Sequence, residues 1–270
     1  MNEPASHPAS HLGFHPAVIA MQDVNIATSR HASSVVLERV NWSVAPGEFW
    51  VVAGPQHSGK SDLLMSAAGL QTPLSGSCRV FGCETTAFGE AQLADRLRVG
   101  FVFEGGRLFN QLTLAENIAL PLRYQKDLSA TESARALEVY LELFELTPFA
   151  HLTPANVAAN WRQRTALARA LILQPELLLL DNPLGGLDRR HRQWLLQFLD
   201  QLWRGHASFG GRPLTLVVTT GDLRTWQHPQ RQFAALDEKT FTVLGSWPGV
   251  ESARTSAVRE LLAGAPAPAP

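Results

Sequence analysis

The sequence predicts an α/β fold: a mixed sheet with an antiparallel β-subdomain and an inserted α-helical subdomain. Three observations lead there. Short apolar runs alternate with stretches of helical spacing, the pattern of strands joined by crossover helices. The stretch from Ala17 to Phe49 carries strand signals without helical ones, and between Thr113 and Leu173 the strand signal vanishes.

Taken in order, Val18 and Ile19, then Val35 to Leu37, then Val40, Trp42 and Val44 read as antiparallel strands, with Pro46-Gly47 as a turn. Phe49 to Ala53 is a short apolar run, Gly54 to Ser61 a glycine-containing loop, and Asp62 to Leu70 has helical spacing through Leu63, Leu64, Ala67 and Ala68. Further strands are expected at Cys78 to Phe81, Val99 to Phe103, Leu177 to Leu180, Leu214 to Thr219, Gln232 to Leu236 and Phe241 to Leu244, and their separation by helices implies a parallel sheet. Leu114, Ile118 and Leu122, then Ala136, Leu137, Tyr140 and Leu141, then Leu167, Ala170 and Leu171 repeat with helical spacing. The expected division is a disordered tail over 1–16, one α/β domain over 17–250 with its helical part at about 105–173, and a C-terminal helix with an Ala/Pro-rich tail over 251–270.

The composition excludes several classes. A chain of 270 residues supports a large core without staples, and 45% hydrophobic against 17% charged residues is globular. Lys and Arg number 23 against 24 Asp and Glu, a net charge of −1, so nucleic acid is not expected as a partner. No apolar stretch is long enough for a membrane-spanning helix, and the N-terminus lacks the basic start and apolar centre of a secretory signal, which places the chain in the cytoplasm. Cys78 and Cys83 offer two ligands where a structural zinc wants four, so reduced thiols are expected. His7, His11 and His15 recur every fourth residue, but Pro8 and Pro16 interrupt the helix that would align them.

Gly54-Pro55-Gln56-His57-Ser58-Gly59-Lys60-Ser61 fits G-x-x-x-x-G-K-[ST] between an expected strand and an expected helix, the context of a phosphate-binding P-loop. Backbone N–H groups and a helix N-terminus cradle phosphate oxygens, Lys60 neutralises β and γ charges, and the Ser61 hydroxyl ligates magnesium. Leu177-Leu178-Leu179-Leu180-Asp181 supplies the acidic residue at the end of an apolar strand, so Ser61 and Asp181 are the candidate magnesium ligands for a bound ATP.

These motifs, with Gln163-Arg164-Thr165-Ala166-Leu167-Ala168-Arg169-Ala170-Leu171 and Gly185-Gly186-Leu187-Asp188, resemble the ATP-binding subunits of ABC transporters from about Val18 to Leu244. The former looks like the helix after that family's signature motif and the latter like its D-loop. The segment Gly106 to Pro121 looks most like the ATPases of MCE/Mla-type lipid-trafficking systems. The resemblance implies a P-loop NTPase fold of ABC ATPase type, peripheral at the inner face of the membrane. It also implies docking on transmembrane permease subunits and pairing as a homodimer or heterodimer in which each nucleotide lies between one chain's phosphate loop and the other's signature.

Several positions depart from the family pattern. Asn182 stands where the family has the glutamate that polarises the attacking water, and losing a general base costs about 10²- to 10⁴-fold in rate. Gly221 replaces the switch histidine, and Glu104 replaces the Q-loop glutamine. The signature falls on Val157-Ala158-Ala159-Asn160-Trp161, without the family's serine or glycines. Trp161 reads equally as helix packing or as an interface group. No Phe, Tyr or Trp lies between Thr28 and Ser34 to stack on adenine. Asp62 brings a carboxylate to the phosphate loop, where it either repels phosphate, by up to about 4 kcal/mol at about 4 Å, or occupies the helix N-terminus as a built-in anion. Arg189, Arg190 and Arg192 read as a solvated helix face.

Catalytic and signature losses on one chain would damage both composite sites of any pair. The expectation is therefore a subunit that binds ATP and magnesium weakly, hydrolyses poorly or not at all, and serves as a structural or regulatory half on a permease, with lipid as a candidate cargo. A slow but genuine transport ATPase and a soluble P-loop phosphotransferase are the alternatives.

Overall fold

The computed structural model describes residues 17–29, 31–87, 96–124 and 129–263. The N-terminal tail with its three spaced histidines and the Ala/Pro-rich tail beyond Ala263 lie outside the described residues. Strands β1 (Ile19–Thr28), β2 (His31–Val44), β4 (Ser75–Val80) and β5 (Cys83–Glu84) form a sheet in the order β2-β1-β4-β5, antiparallel throughout. The larger sheet contains β3 (Phe49–Ala53), β6 (Val99–Val102), β7 (Leu177–Leu180), β8 (Thr215–Thr220), β9 (Gln232–Asp237) and β10 (Thr240–Gly245), in the order β10-β9-β3-β8-β7-β6.

Every pairing in the larger sheet is parallel except β9 with β10. Two strands expected to run parallel do not. Cys78–Phe81 belongs to the small sheet, where Val80 pairs with Ile19. Phe241–Leu244 runs antiparallel because it follows β9 through Glu238 and Lys239, both with positive φ (42° and 68°), the backbone of a tight hairpin turn.

Strands β3, β7 and β8 are buried along their whole length, which explains the unbroken apolar composition of β3 and β7; β8 adds threonines at its ends. Alternate residues face two cores. Phe49, Val51 and Ala53 pack with the helices, whereas Trp50 and Val52 face the small sheet together with Leu177, Leu179 and Val217.

Helix α1 (Lys60–Ala67) starts two residues before the expected Asp62 because Gly59, at φ 89°, ends the loop and serves as its N-cap. Helices α2 (Leu114–Ala119) and α3 (Ala130–Leu143) each open on a capping box, Thr113 with Glu116 and Ser129 with Glu132. Helix α4 (Ala159–Leu171) completes the helical insertion. Helix α5 (Arg189–Arg204) is N-capped by Asp188, and α6 (Trp247–Ser252) and α7 (Ser256–Ala263) close the described chain.

Among the described residues no helix is long and apolar enough to cross a membrane. Cys78 is buried in β4, where desolvation pushes its thiol pKa up to about 11. Arg189, Arg190 and Arg192 lie exposed on α5.

The helical part is tied to the core through Phe144, which is fully buried and packs against Tyr140, Trp194 and Phe198 with ring centroids 6.1, 6.2 and 5.2 Å away. The Tyr140 hydroxyl donates to the Leu171 carbonyl at 2.7 Å, so the same cluster joins α3 to α4. Phe144→Ala is expected to destabilise the protein by about 3–5 kcal/mol in denaturant unfolding, since it empties a site walled by three aromatic rings.

Candidate functional site

The loop from Gly54 to Ser61 leaves the C-terminal end of β3 and enters α1 beside β7, so it stands over the centre of the parallel sheet. Two residues within it take left-handed backbone, His57 (φ 65°) and Gly59 (φ 89°). A side chain at Gly59 would also meet Val36 at 3.0 Å, so glycine is required twice over. Lys60 Nζ folds back across the loop and donates to the carbonyls of Gly54 (2.8 Å) and Pro55 (2.5 Å). Burial lowers the Lys60 pKa, while Asp181 and Glu104 act to raise it. The Ser58 hydroxyl is buried inside the loop without a hydrogen-bond partner, an orphaned donor of the kind a bound anion satisfies.

Asp181 follows the last buried residue of β7 and is only 5% exposed. Its two oxygens accept from the Ser61 hydroxyl (2.6 Å) and the Thr219 hydroxyl (2.8 Å). Thr219 also accepts from the Asn182 backbone N–H at 2.9 Å. A hydroxyl and a carboxylate converging at the mouth of a phosphate loop fit magnesium, which takes one or two protein oxygens and completes its shell with water and phosphate. Among the described residues there is no cluster of three or more His, Cys, Asp or Glu that could hold a metal ion.

The loop faces a cleft of about 1280 Å³. The hairpin at Thr28, Ser29 and Val36 walls one side, Phe103, Glu104 and Asn182 another, and helix α7 a third through Glu260 and Leu261. The Leu223 N–H donates to the Leu261 carbonyl at 3.0 Å, which fixes α7 there.

Asp62 lines the cleft, with one carboxylate oxygen turned to the β1–β2 hairpin. It is 9% exposed, and its Oδ1 accepts from the Ser29 backbone N–H at 2.7 Å, tying the β1–β2 hairpin to α1. The backbone donor settles the direction of a carboxylate that helix-dipole arguments leave undetermined.

Gly221 is exposed just beyond β8, and a Cβ built there meets nothing within 4 Å. Glu104 and Asn182 are brought together: Asn182 Nδ2 donates to Glu104 Oε1 at 2.5 Å. Asn182 has φ 42°, a left-handed backbone that asparagine tolerates better than most side chains.

The segment Val157 to Trp161 is turned to uses within its own chain. Ala158 is the N-cap of α4 but has no side chain to offer its N–H groups, and Ala159 opens the helix. Asn160 Nδ2 lies 2.6 Å from His191 Nε2, and His191 Nδ1 lies 2.7 Å from Asp188 Oδ2, so the start of α4 is joined to the loop Gly185-Gly186-Leu187-Asp188. Trp161 is half-buried against Phe149 (4.5 Å between centroids) and His191 (5.6 Å), so part of the indole packs within the chain. Arg164 lies with its guanidinium 3.8 Å from the Trp194 ring and 5.0 Å from the Trp161 ring and pairs with Glu145 at 2.8 Å; burial lowers its pKa and Glu145 opposes that shift.

Three participants escaped the sequence reasoning. Thr219 carried the signal of a hydroxyl near the end of a buried strand. His191 sits three residues after a helix-capping aspartate. Asn117, fully buried, follows a capping box; its amide donates to the carbonyls of Phe109, Leu112 and Thr113 and its Oδ1 accepts from Phe109 N–H, which sets the turn after Glu104.

The ABC transporter family model matches residues 37–185. The probable sulfate/thiosulfate import ATP-binding protein CysA of Chlorella vulgaris is 39% identical over 219 residues, covering 81% of this chain and 88% of that protein. The aliphatic sulfonates import ATP-binding protein SsuB of Bacillus subtilis is 34% identical, covering 76% and 74%. Among solved structures, a dimeric post-hydrolysis state of the ATP-binding cassette MJ0796 bound to ADP and Pi superposes with a TM-score of 0.70 at 28% identity, covering 82% of this chain and 95% of that one. The chain thus belongs to the ABC transporter family, as an ATP-binding domain of its P-loop α/β fold.

Because burial lowers the Lys60 pKa, the folded state releases that proton below the ordinary 10.5. The unfolded chain then holds more protons than the folded one, so this group's contribution to stability rises with pH through that window. Side-chain NMR titration of the nucleotide-free protein should show Lys60 titrating below its ordinary value, and lower still in Asp181→Asn, which removes an opposing negative charge.

Proposed function

We propose that the chain is the nucleotide-binding subunit of a membrane transporter, that it holds magnesium-ATP on the phosphate loop, and that it cleaves it slowly. It pairs with a second ATP-binding subunit and docks on a permease at the inner membrane face. The observation that carries this is the Asp181 carboxylate joining Ser61 to Thr219 beneath a loop with Lys60 across its mouth and a partnerless Ser58 hydroxyl inside. A site that keeps this much converging chemistry supports a nucleotide as its ligand, with the Asp62 carboxylate engaged by the Ser29 N–H. A docking module without nucleotide is therefore the weaker alternative.

Slow cleavage follows from what faces the terminal phosphate. Position 182 offers an amide, which has no useful basicity, and position 221 offers no side chain. In a dimer the partner's phosphate would meet the start of α4, where Asn160 and Trp161 are engaged within the chain and only backbone N–H groups and the helix dipole remain. The ATP-binding proteins named above for sulfate/thiosulfate and sulfonate import, and the MJ0796 cassette dimer, support the transporter role and the pairing. They lend no weight to a lipid cargo, which rests only on the segment Gly106 to Pro121; the permease sets the cargo. A soluble phosphotransferase is disfavoured by the family membership.

Calorimetry should detect magnesium-ATP binding that Lys60→Ala abolishes, and phosphate release should stay below about 0.1 per second. Gly221→His, which the open space accommodates, should raise that rate at least about 10-fold by supplying a donor to the developing charge. Absence of binding at millimolar nucleotide would leave only the docking module, and brisk release by the unaltered protein would overturn the slow-cleavage assignment.

A further inference from the structure

We propose that Glu104, oriented by the Asn182 amide, is the general base for the cleavage this chain performs. The inference rests on the magnesium-ATP binding proposed above and assigns the chemistry of that same site.

The sheet register creates the pair. Strands β6 and β7 run parallel with Val102 opposite Leu180, and the Asp181 N–H donates to the Val102 carbonyl at 2.9 Å. The residues two positions beyond, Glu104 and Asn182, therefore emerge side by side at the C-terminal edge of the sheet, flanking Asp181 where the phosphate loop opens.

The amide that holds the carboxylate is itself held. Asn182 donates its backbone N–H to Thr219, and a Cβ at position 185 would come within 2.6 Å of Asn182 Nδ2, so Gly185 provides the space in which that amide lies. Below Glu104 the chain turns through Gly105 and Gly106 at φ 70° and 84°. Arg169 donates to the carbonyls of Gly106 (3.2 Å) and Arg107 (3.0 Å), which anchors the turn on α4.

A single donor reaches the carboxylate. Among the described residues no hydrogen bond other than that from Asn182 reaches Glu104, which leaves the remaining lone pairs open to water in the cleft. The other acids lining the cleft are less suited. Asp181 accepts from two hydroxyls and Asp62 from Ser29 N–H. Asp237 and Glu238 stand at the end of β9, on the opposite side of β3 from Asp181, and Glu260 stands on α7; none of the three receives an orienting hydrogen bond among the described residues. Glu104, Asp181 and Lys60 line one cleft together with the phosphate loop.

The reaction is hydrolysis of the terminal phosphoanhydride. A water oxygen bonds to the γ-phosphorus, the bond from that phosphorus to the β,γ-bridging oxygen breaks with its electron pair staying on the diphosphate, and the water proton passes to the Glu104 carboxylate and then to solvent. Asn182 takes no proton; it is a positioning residue, fixing the carboxylate through Nδ2.

The test uses the full chain with magnesium-ATP and magnesium-ADP in calorimetry, alongside phosphate release, for the unaltered protein, Glu104→Gln, and Glu104→Gln combined with Asn182→Glu. Glu104→Gln should lower phosphate release by about 100-fold or more. It should also shift binding several-fold in favour of ATP over ADP, because a negative charge facing the γ-phosphate is gone; this readout needs no turnover. The double variant, which exchanges amide and acid across the same contact, should recover at least about 10-fold of the lost rate. Unchanged phosphate release in Glu104→Gln, or an unaltered protein that binds magnesium-ATP without cleaving it, overturns the assignment of Glu104 alone. Failure to bind either nucleotide overturns it together with the proposed function.

Discussion

The Asp181 carboxylate is the constraint from which the rest of the site follows. It terminates a strand buried along its whole length, and a carboxylate so nearly excluded from water is tolerable only when donors meet it. One comes from the first turn of α1 and the other from β8, so one side chain sets the spacing of three elements that are distant in sequence. The loop between β3 and α1 inherits its placement from that contact, because Ser61 is both the last residue of the phosphate motif and a donor to Asp181. The same two oxygens suit a hard divalent cation, so the contact that organises the protein without ligand is also the one a magnesium ion would exchange for its own.

A second network works in the opposite sense. At the start of α4 and in the loop leading to α5, polar side chains are spent within the chain: Asn160 and Asp188 meet on His191, Trp161 lies against Phe149, and Arg164 lies near two tryptophan rings while pairing with Glu145. These contacts join the start of α4 to α5 and to the turns on either side of it.

Much of this was legible without coordinates. Unbroken apolar runs marked strands buried on both faces, the glycine, lysine and serine spacing marked a loop that wraps phosphate, and four leucines before an aspartate marked the carboxylate beneath it. Those signals are local: each depends on backbone geometry or burial that neighbouring residues impose. Other features were invisible for a definite reason. Whether Asp62 repels an anion or serves the fold depended on a backbone N–H at Ser29, more than thirty positions earlier, and the parallel or antiparallel sense of the last strand depended on two left-handed residues, Glu238 and Lys239, whose side chains do not announce that conformation.

Composition and spacing by themselves determined the class of fold, the phosphate loop and the acid that serves it, because hydrophobic period and glycine placement act over a few residues. Only the tertiary structure decided which charges face one another. Glu104 and Asn182, each a loss when taken singly, became a pair because two parallel strands run in register and release them at the same edge, a relation that no single segment of the chain contains.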